Sequence, residues 1–321
     1  MIGLHIKKIS IIQEKYRAQV TNLQRNALRK LNLISRIGKN IDEINYLDDV
    51  IDYFTQNDFL FKLPSELETI KNTVLQVPLI TVYNNRTKRN EQKKSPIKDE
   101  ILKALDYKGL RKSFFPQYFQ KIGIKACVYC NSQLTITAVK KRGEVVAKFD
   151  VDHFHSKDKF PFLSISLFNL YPACTSCNRS KSNNEVKFDL YTLDTNATRV
   201  SLFGFKLDAH AKAKYLTTKD SSMLTFKFNE PTIAGSKTFQ ETFHIEEIYE
   251  TQHDVIEELI VKSQIYNQSY IKRLRSDFSK LSLNNKLFER VLVGNYIEDK
   301  DLHKRPMAKF TQDIAKQLGL I

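Results

Sequence analysis

Cys127-Val128-Tyr129-Cys130 opens a stretch that closes on Cys174-Thr175-Ser176-Cys177-Asn178-Arg179-Ser180-Lys181. Between them lie Asp150-Val151-Asp152-His153 and Asn169-Leu170. The two C-x-x-C pairs hold all four cysteines of the chain, and 43 residues separate them. In an exported protein such pairs would be candidate disulfides. Here Met1 to Ser10 carries His5, Lys7 and Lys8, with no apolar run and small-residue cleavage site behind them, so no secretory signal is read. A metal clip is therefore expected from Cys127, Cys130, Cys174 and Cys177. Four thiolates suit tetrahedral Zn²⁺ in a closed, structural role.

Working outward, Ser132 to Val139 alternates and is rich in Thr and Ile, which predicts a strand. Lys140 to Gly143 reads as a turn. Glu144 to Val151 reads as the returning strand, with Val145, Ala147, Phe149 and Val151 on one face. The first cysteine pair thus forms a knuckle before a hairpin. The second follows Pro172, and the polar run after it begins a helix. A knuckle, a hairpin and a helix start clamped by one zinc make a treble-clef-like module. Asp152-His153 falls at the end of the second strand. The loop 154–168 then returns the chain at Asn169, and the clamp brings Asn178 back towards Asp152 and His153.

These residues resemble the HNH (His-Me finger, ββα-metal) endonucleases, in the variant with Asn at the third position and two zinc-binding C-x-x-C pairs. Asp150-x-Asp152-His153 followed by Asn178-Arg179-x-Lys181 is also similar to the HNH domain of RNA-guided CRISPR nucleases. The resemblance covers about 55 residues and leaves both flanks unexplained. It implies that His153 is the general base, that Asp152 and Asn178 hold one catalytic Mg²⁺ or Mn²⁺, and that Asn169 braces the loop behind the base. Oxygen ligands suit a hard cation, and an imidazole near neutrality suits proton abstraction from water. Each has a plainer reading: His153 as a core histidine, Asp152 as a turn residue, Asn178 as a helix cap, Asn169 as a turn former. Arg179 and Lys181 either bind phosphate or cover the helix's outer face. Asp150 shares a strand face with Asp152 and either supports the metal or is a strand residue. His155 is a neighbour of the base, or a phosphate or metal-water contact.

The style of the motif, with long helical flanks, is similar to bacterial HNH proteins of anti-phage defence, of the Septu type or associated with retrons. That likeness implies DNA as substrate, with RNA left open, and an ATPase subunit as partner. The alternatives are a stand-alone restriction-like or mobile-element nuclease, and a non-catalytic zinc-dependent nucleic-acid-binding adaptor.

The flanks are read from periodicity. Residues 9–38 predict an amphipathic helix, as do 41–54, a helix from Pro64 with Ser65 as cap, 97–107, a long helix 246–280 and another from Asn284 to Val293. Helices 9–38 and 246–280 are candidates to pack together. Strands are expected over 199–207 and 222–228, with a turn at Pro231 and Gly235. Asn84 to Lys94 is polar, basic and aperiodic, which predicts a linker loop; Lys88 and Arg89 there are candidate phosphate contacts. The fold class expected is α+β: residues 1–115 helical, 116–198 the zinc-stapled module, 199–321 mixed strands and helices with a basic tail. A formal net charge of +15 over 321 residues favours a polyanionic partner. No apolar run is long enough for a membrane span, and a cytoplasmic protein is expected.

Overall fold

A computed structural model of the chain describes residues 2–141, 143–231, 237–277 and 285–321. The turn at Gly235 and residues 278–284, which hold the end of the long helix and Asn284, lie outside the described residues, as does Arg142.

The N-terminal third is helical, with two departures from the periodicity. After β1 (Leu4–His5), the single helix expected over 9–38 is two, α1 (Ile6–Glu14) and α2 (Arg17–Asn32). The break falls where Lys15 and Tyr16 close three-residue turns onto Ile12 and Gln13, and the Tyr16 ring packs edge-on against Phe114 and Tyr118. Then follow α3 (Ile41–Thr55), which starts on an Asn40–Glu43 capping box, and α4 (Pro64–Val74). Ser65 is not the cap of α4: Leu63 holds that position, Pro64 is the first helical residue, and the Glu66 carboxylate accepts from the Leu63 N–H at 2.7 Å. The second departure is the stretch 84–94. It is half of an antiparallel ribbon, β2 (Leu79–Asn84) against β3 (Arg89–Lys94), paired over its full length. The strand of polar residues needs no apolar face, because both sides of the ribbon meet solvent to some degree. Helices α5 (Ile97–Ala104), α6 (Tyr107–Lys112) and α7 (Phe114–Ile122) lead to the first knuckle.

In the centre, the expected returning strand 144–151 splits at Phe149. Its first part, β5 (Val145–Lys148), pairs with β4 (Ile136–Val139). Its second, β6 (Asp150–His153), pairs instead with β7 (Leu170–Ala173), in the register Asp152↔Tyr171 and His153↔Leu170. Helix α8 (Thr175–Lys181) follows directly, so β6, β7 and α8 form a small ββα unit.

The central part ends on β8 (Tyr191–Thr192), and the C-terminal third carries β9 (Gly204–Leu207), α9 (Ala209–Thr218), β10 (Phe226–Asn229), α10 (Phe239–Phe243), α11 (Ile245–Glu250), α12 (His253–Ile265), α13 (Gln268–Asp277), α14 (Asn285–Val293) and α15 (Ala308–Gln317). The long helix expected over 246–280 is therefore three segments. Helix α12 packs on α14 and α15, while α2 packs on α3 and α5. The fold is α+β, built of helices and two-stranded ladders. One apolar core runs through all three thirds, from Ile9 and Leu47 through Phe162 and Leu170 to Tyr249 and Phe310. The ends are tied in: β1 pairs parallel with β8, and the His303 ring meets the Ile2 carbonyl at 2.8 Å. No described helix is long and apolar enough to cross a membrane.

Candidate functional site

The four cysteines come together. All are buried, and their Sγ atoms lie within 4.8 Å of one another. The Cys130 and Cys174 sulfurs are 4.0 Å apart. That is twice a disulfide bond, and close to the edge of about 3.8 Å that a tetrahedron with Zn–S near 2.3 Å requires. Backbone N–H groups point at these sulfurs: Cys174 N to Cys127 at 3.3 Å, Cys177 N to Cys174 at 3.5 Å and Ser132 N to Cys130 at 3.5 Å. Donors aimed at sulfur stabilise thiolates, so the cluster can hold a zinc ion.

The C-terminal third locks the first knuckle. Asn131, in the left-handed region at φ 55°, gives its side chain to the Leu302 carbonyl at 2.9 Å and takes the Lys309 N–H at 3.0 Å. Tyr249 donates its hydroxyl to the Cys130 carbonyl at 2.9 Å.

Cys174 caps α8, accepting from Cys177 N. This fixes the helix start against β6, and a cleft of ≈ 580 Å³ opens between them. Asp152, His153, Lys157, Asn178 and Arg179 line it. A wider trough of ≈ 1010 Å³ shares Asp99, Leu102 and Lys157 with the cleft and runs on past Arg111 and Lys112 to β5.

His153 is almost wholly enclosed, at 3% exposure, yet its ring lines the cleft. Its Nε2 lies 3.1 Å from the Ser164 carbonyl and its ring packs on Tyr107 at 4.9 Å. A carbonyl there selects the tautomer with the proton on Nε2 and leaves Nδ1 the bare nitrogen. Burial pushes the ring's pKa well below its ordinary value, and Lys157 pushes the same way. The imidazole is thus neutral at physiological pH, the form that can take a proton.

Asp152 is buried, and one of its oxygens, Oδ2, takes the Tyr129 hydroxyl at 2.5 Å and lies 3.3 Å from the Lys181 ammonium. Its other oxygen carries no protein partner among the described residues. The Asn178 amide reaches not Asp152 but Asp150, at 3.2 Å, and Asp150 also pairs with Arg111. Asp152 and Asn178 therefore line the cleft, and Asp150 adjoins it through its bond to the Asn178 amide. Asn169 is fully buried behind it, lacing the loop 154–168: its Oδ1 accepts from His155 N at 2.7 Å, and its Nδ2 donates to the carbonyls of His155 at 3.1 Å and Leu163 at 3.0 Å.

Several expected site residues stand elsewhere. Lys181 is not on the outer face of α8. It is fully buried, and its ammonium donates to the His153 carbonyl at 2.8 Å as well as pairing with Asp152. The strand end and helix close over it, so it cannot grip a phosphate from solvent. His155 turns away from the cleft towards α4, 3.4 Å from the Glu68 carboxylate, and burial pushes its pKa down to about 4. Lys88 and Arg89 are exposed at the tip of the β2–β3 ribbon. Arg179 is exposed on the cleft rim. Sequence reasoning missed Tyr129, Arg111 and Lys157. Tyr129 could have been found, since a zinc joining both cysteine pairs places the residue between Cys127 and Cys130 beside β6. Arg111 had no such signal.

No family model matches the chain, and no solved structure matches it. Over 84 residues, a quarter of this chain, it is 31% identical to a protein named Septu protein PtuB from Bacillus thuringiensis, and the match spans 30% of that protein's length.

Proposed function

We propose that this chain is a metal-dependent HNH-type endonuclease that hydrolyses phosphodiester bonds in DNA, as the effector of a bacterial anti-phage defence system with an ATPase partner. The observation that carries the reading is the convergence of a neutral imidazole, the Asp152 carboxylate and the Asn178 amide on one cleft, with Asp150 bonded to that amide, beside a four-cysteine cluster. The partial likeness to a Septu protein supports the defence role.

The donor set fits a hard divalent cation. Asp152 keeps one oxygen without a partner among the described residues, Asp150 stands two positions away on the same strand, and Asn178 offers its carbonyl when its amide donates to Asp150. A bound Mg²⁺ or Mn²⁺ would supply charge for the scissile phosphate and leaving oxygen. The protein's own part is separate. Ser164 holds the His153 ring so that Nδ1 can take a proton from water. A phosphate anion entering the cleft raises the ring's depressed pKa, because a nearby negative charge favours the imidazolium. Lys157, which sits over the Tyr107 ring at 5.3 Å with no carboxylate partner among the described residues, and Arg179 are placed to hold the flanking phosphates. Asn169 keeps the loop behind the base from shifting.

Plasmid DNA incubated with the protein is nicked or linearised in Mg²⁺ and left intact in its absence, and His153→Ala abolishes the cleavage. A zinc-replete, folded His153→Ala protein with full activity removes the base assignment. Binding without cleavage under every divalent cation returns the chain to the adaptor reading. Co-purification of an ATPase from the native host tests the defence complex.

A further inference from the structure

We propose that the β2–β3 ribbon is a recognition arm that enters the major groove of duplex DNA beside the cleft. This deepens the nuclease reading, on which it rests for the identity of the polyanion. Its six paired positions span roughly 20 Å at about 3.4 Å each. A two-stranded ribbon is one of the shapes a major groove about 12 Å wide admits.

The root of the arm is fixed to the cleft. Lys94 pairs with Asp158, a cleft-lining residue; Ser95 N bonds to Pro78 O at 2.9 Å; and Val77 N bonds to Lys159 O at 2.9 Å. The tip is basic and its charge is unspent. Arg86, Lys88 and Arg89 have no carboxylate partner among the described residues, and all three are exposed. The one acid of the ribbon, Glu91, is held at the tip by Asn84 at 2.6 Å and Thr87 at 2.8 Å.

The two faces differ. Directly opposed residues share a face, so Tyr83 with Asn90 and Thr81 with Gln92 line one side, and all four are exposed. Ile80, Val82 and Glu91 on the other side are half-buried. The open face thus presents two amides, a threonine and an aromatic ring, with Leu79 exposed near the root and the Gln92 amide donating to the Thr81 hydroxyl at 2.8 Å. These are groups that read base edges: Asn and Gln pair with adenine, and the Thr methyl meets the thymine methyl. Basic tip residues for phosphates and amides for bases are the division of labour that duplex reading needs. The A-form groove of double-stranded RNA is too deep and narrow for such contacts.

Binding is measured by fluorescence anisotropy without added divalent cation, using a DNA duplex and an RNA duplex of the same sequence. The triple variant Arg86→Ala, Lys88→Ala, Arg89→Ala weakens binding to the DNA duplex and lowers the slope of log K against log salt by about 3, roughly one per side chain. Selection from a randomised duplex pool yields a base preference that Asn90→Ala with Gln92→Ala flattens, on the order of ten- to a hundredfold per contacted base pair. Unchanged DNA binding in the folded triple variant overturns the arm. Equal losses on the RNA duplex, or a wild type without base preference, overturn groove reading. None of these readings depends on cleavage, so the arm and the nuclease assignment fail separately.

Discussion

One carboxylate oxygen carries much of the site. Asp152 Oδ2 is met by the Tyr129 hydroxyl and the Lys181 ammonium, both buried, so its direction is set from two sides and its charge is balanced in the interior. Replacing Lys181 with Met leaves a buried carboxylate without its cation and should cost about 3–5 kcal/mol, read as a lower urea midpoint. Tyr129→Phe keeps the ring's stack on Phe243 at 4.7 Å and removes only the hydroxyl. It should cost about 1–3 kcal/mol, leave the four-cysteine cluster able to hold zinc and, on the proposed nuclease reading, raise the Mg²⁺ concentration needed for cleavage. Unchanged Mg²⁺ dependence would show that Tyr129 serves packing alone. Asp152, His153 and Asn178, grouped from the sequence, line one cleft. Residue type failed for Lys181, because a lysine is usually solvated and only the closure of β6 and α8 over it makes it an internal counter-ion.

Elements were legible where the period of the pattern and the core agreed. The helix over 41–54 emerged almost at its predicted bounds because Asn40 and Glu43 mark its start. The split of the return strand at Phe149 was not legible. The alternation Val145, Ala147, Phe149, Val151 continues through it, and the change of partner from β4 to β7 is a long-range choice. The ribbon was hidden for the opposite reason: β3 is wholly polar, so no alternation announced it, although Asn84 accepting from Arg86 N at 2.9 Å and Lys88 at φ 54° are ordinary turn chemistry. At this scale the four-cysteine frame is the element most open to test. Structural zinc contributes on the order of 10–16 kcal/mol in small finger peptides. Cys174→Ser, which keeps an oxygen able to cap α8 but removes a thiolate, should give an aggregating protein without zinc, whereas His153→Ala should retain stoichiometric zinc by elemental analysis and a near-native melting temperature. A soluble, well-folded Cys174→Ser protein would show that the C-terminal contacts on Asn131 suffice without the metal.

For the molecule as a whole, two buried histidines outside the cleft set an acid limit. Burial pushes His155 down to about 4, and burial, followed by the chain's amino terminus, pushes His303 down to about 3, from an ordinary 6.5. The unfolded chain takes up these protons before the folded one does, so their contribution is complete above pH 6.5 and is lost as pH falls towards 4 and 3. Each can remove up to about 1.4 kcal/mol per pH unit within its window. The melting temperature should fall between pH 6.5 and 4.5. Because acid would also protonate cysteine thiolates that hold a metal, the comparison that checks it is a His155→Gln, His303→Gln protein, whose fall should be shallower.

The hold of residues 302–309 on Asn131 spans more than 170 positions of chain, since its two side-chain bonds have separations of 171 and 178. During translation at about 5–20 residues per second, the knuckle emerges from the ribosome roughly 10–35 s before its clamp does. A nascent chain therefore carries an unlatched cysteine knuckle for that interval, held in place only once the downstream segment has docked.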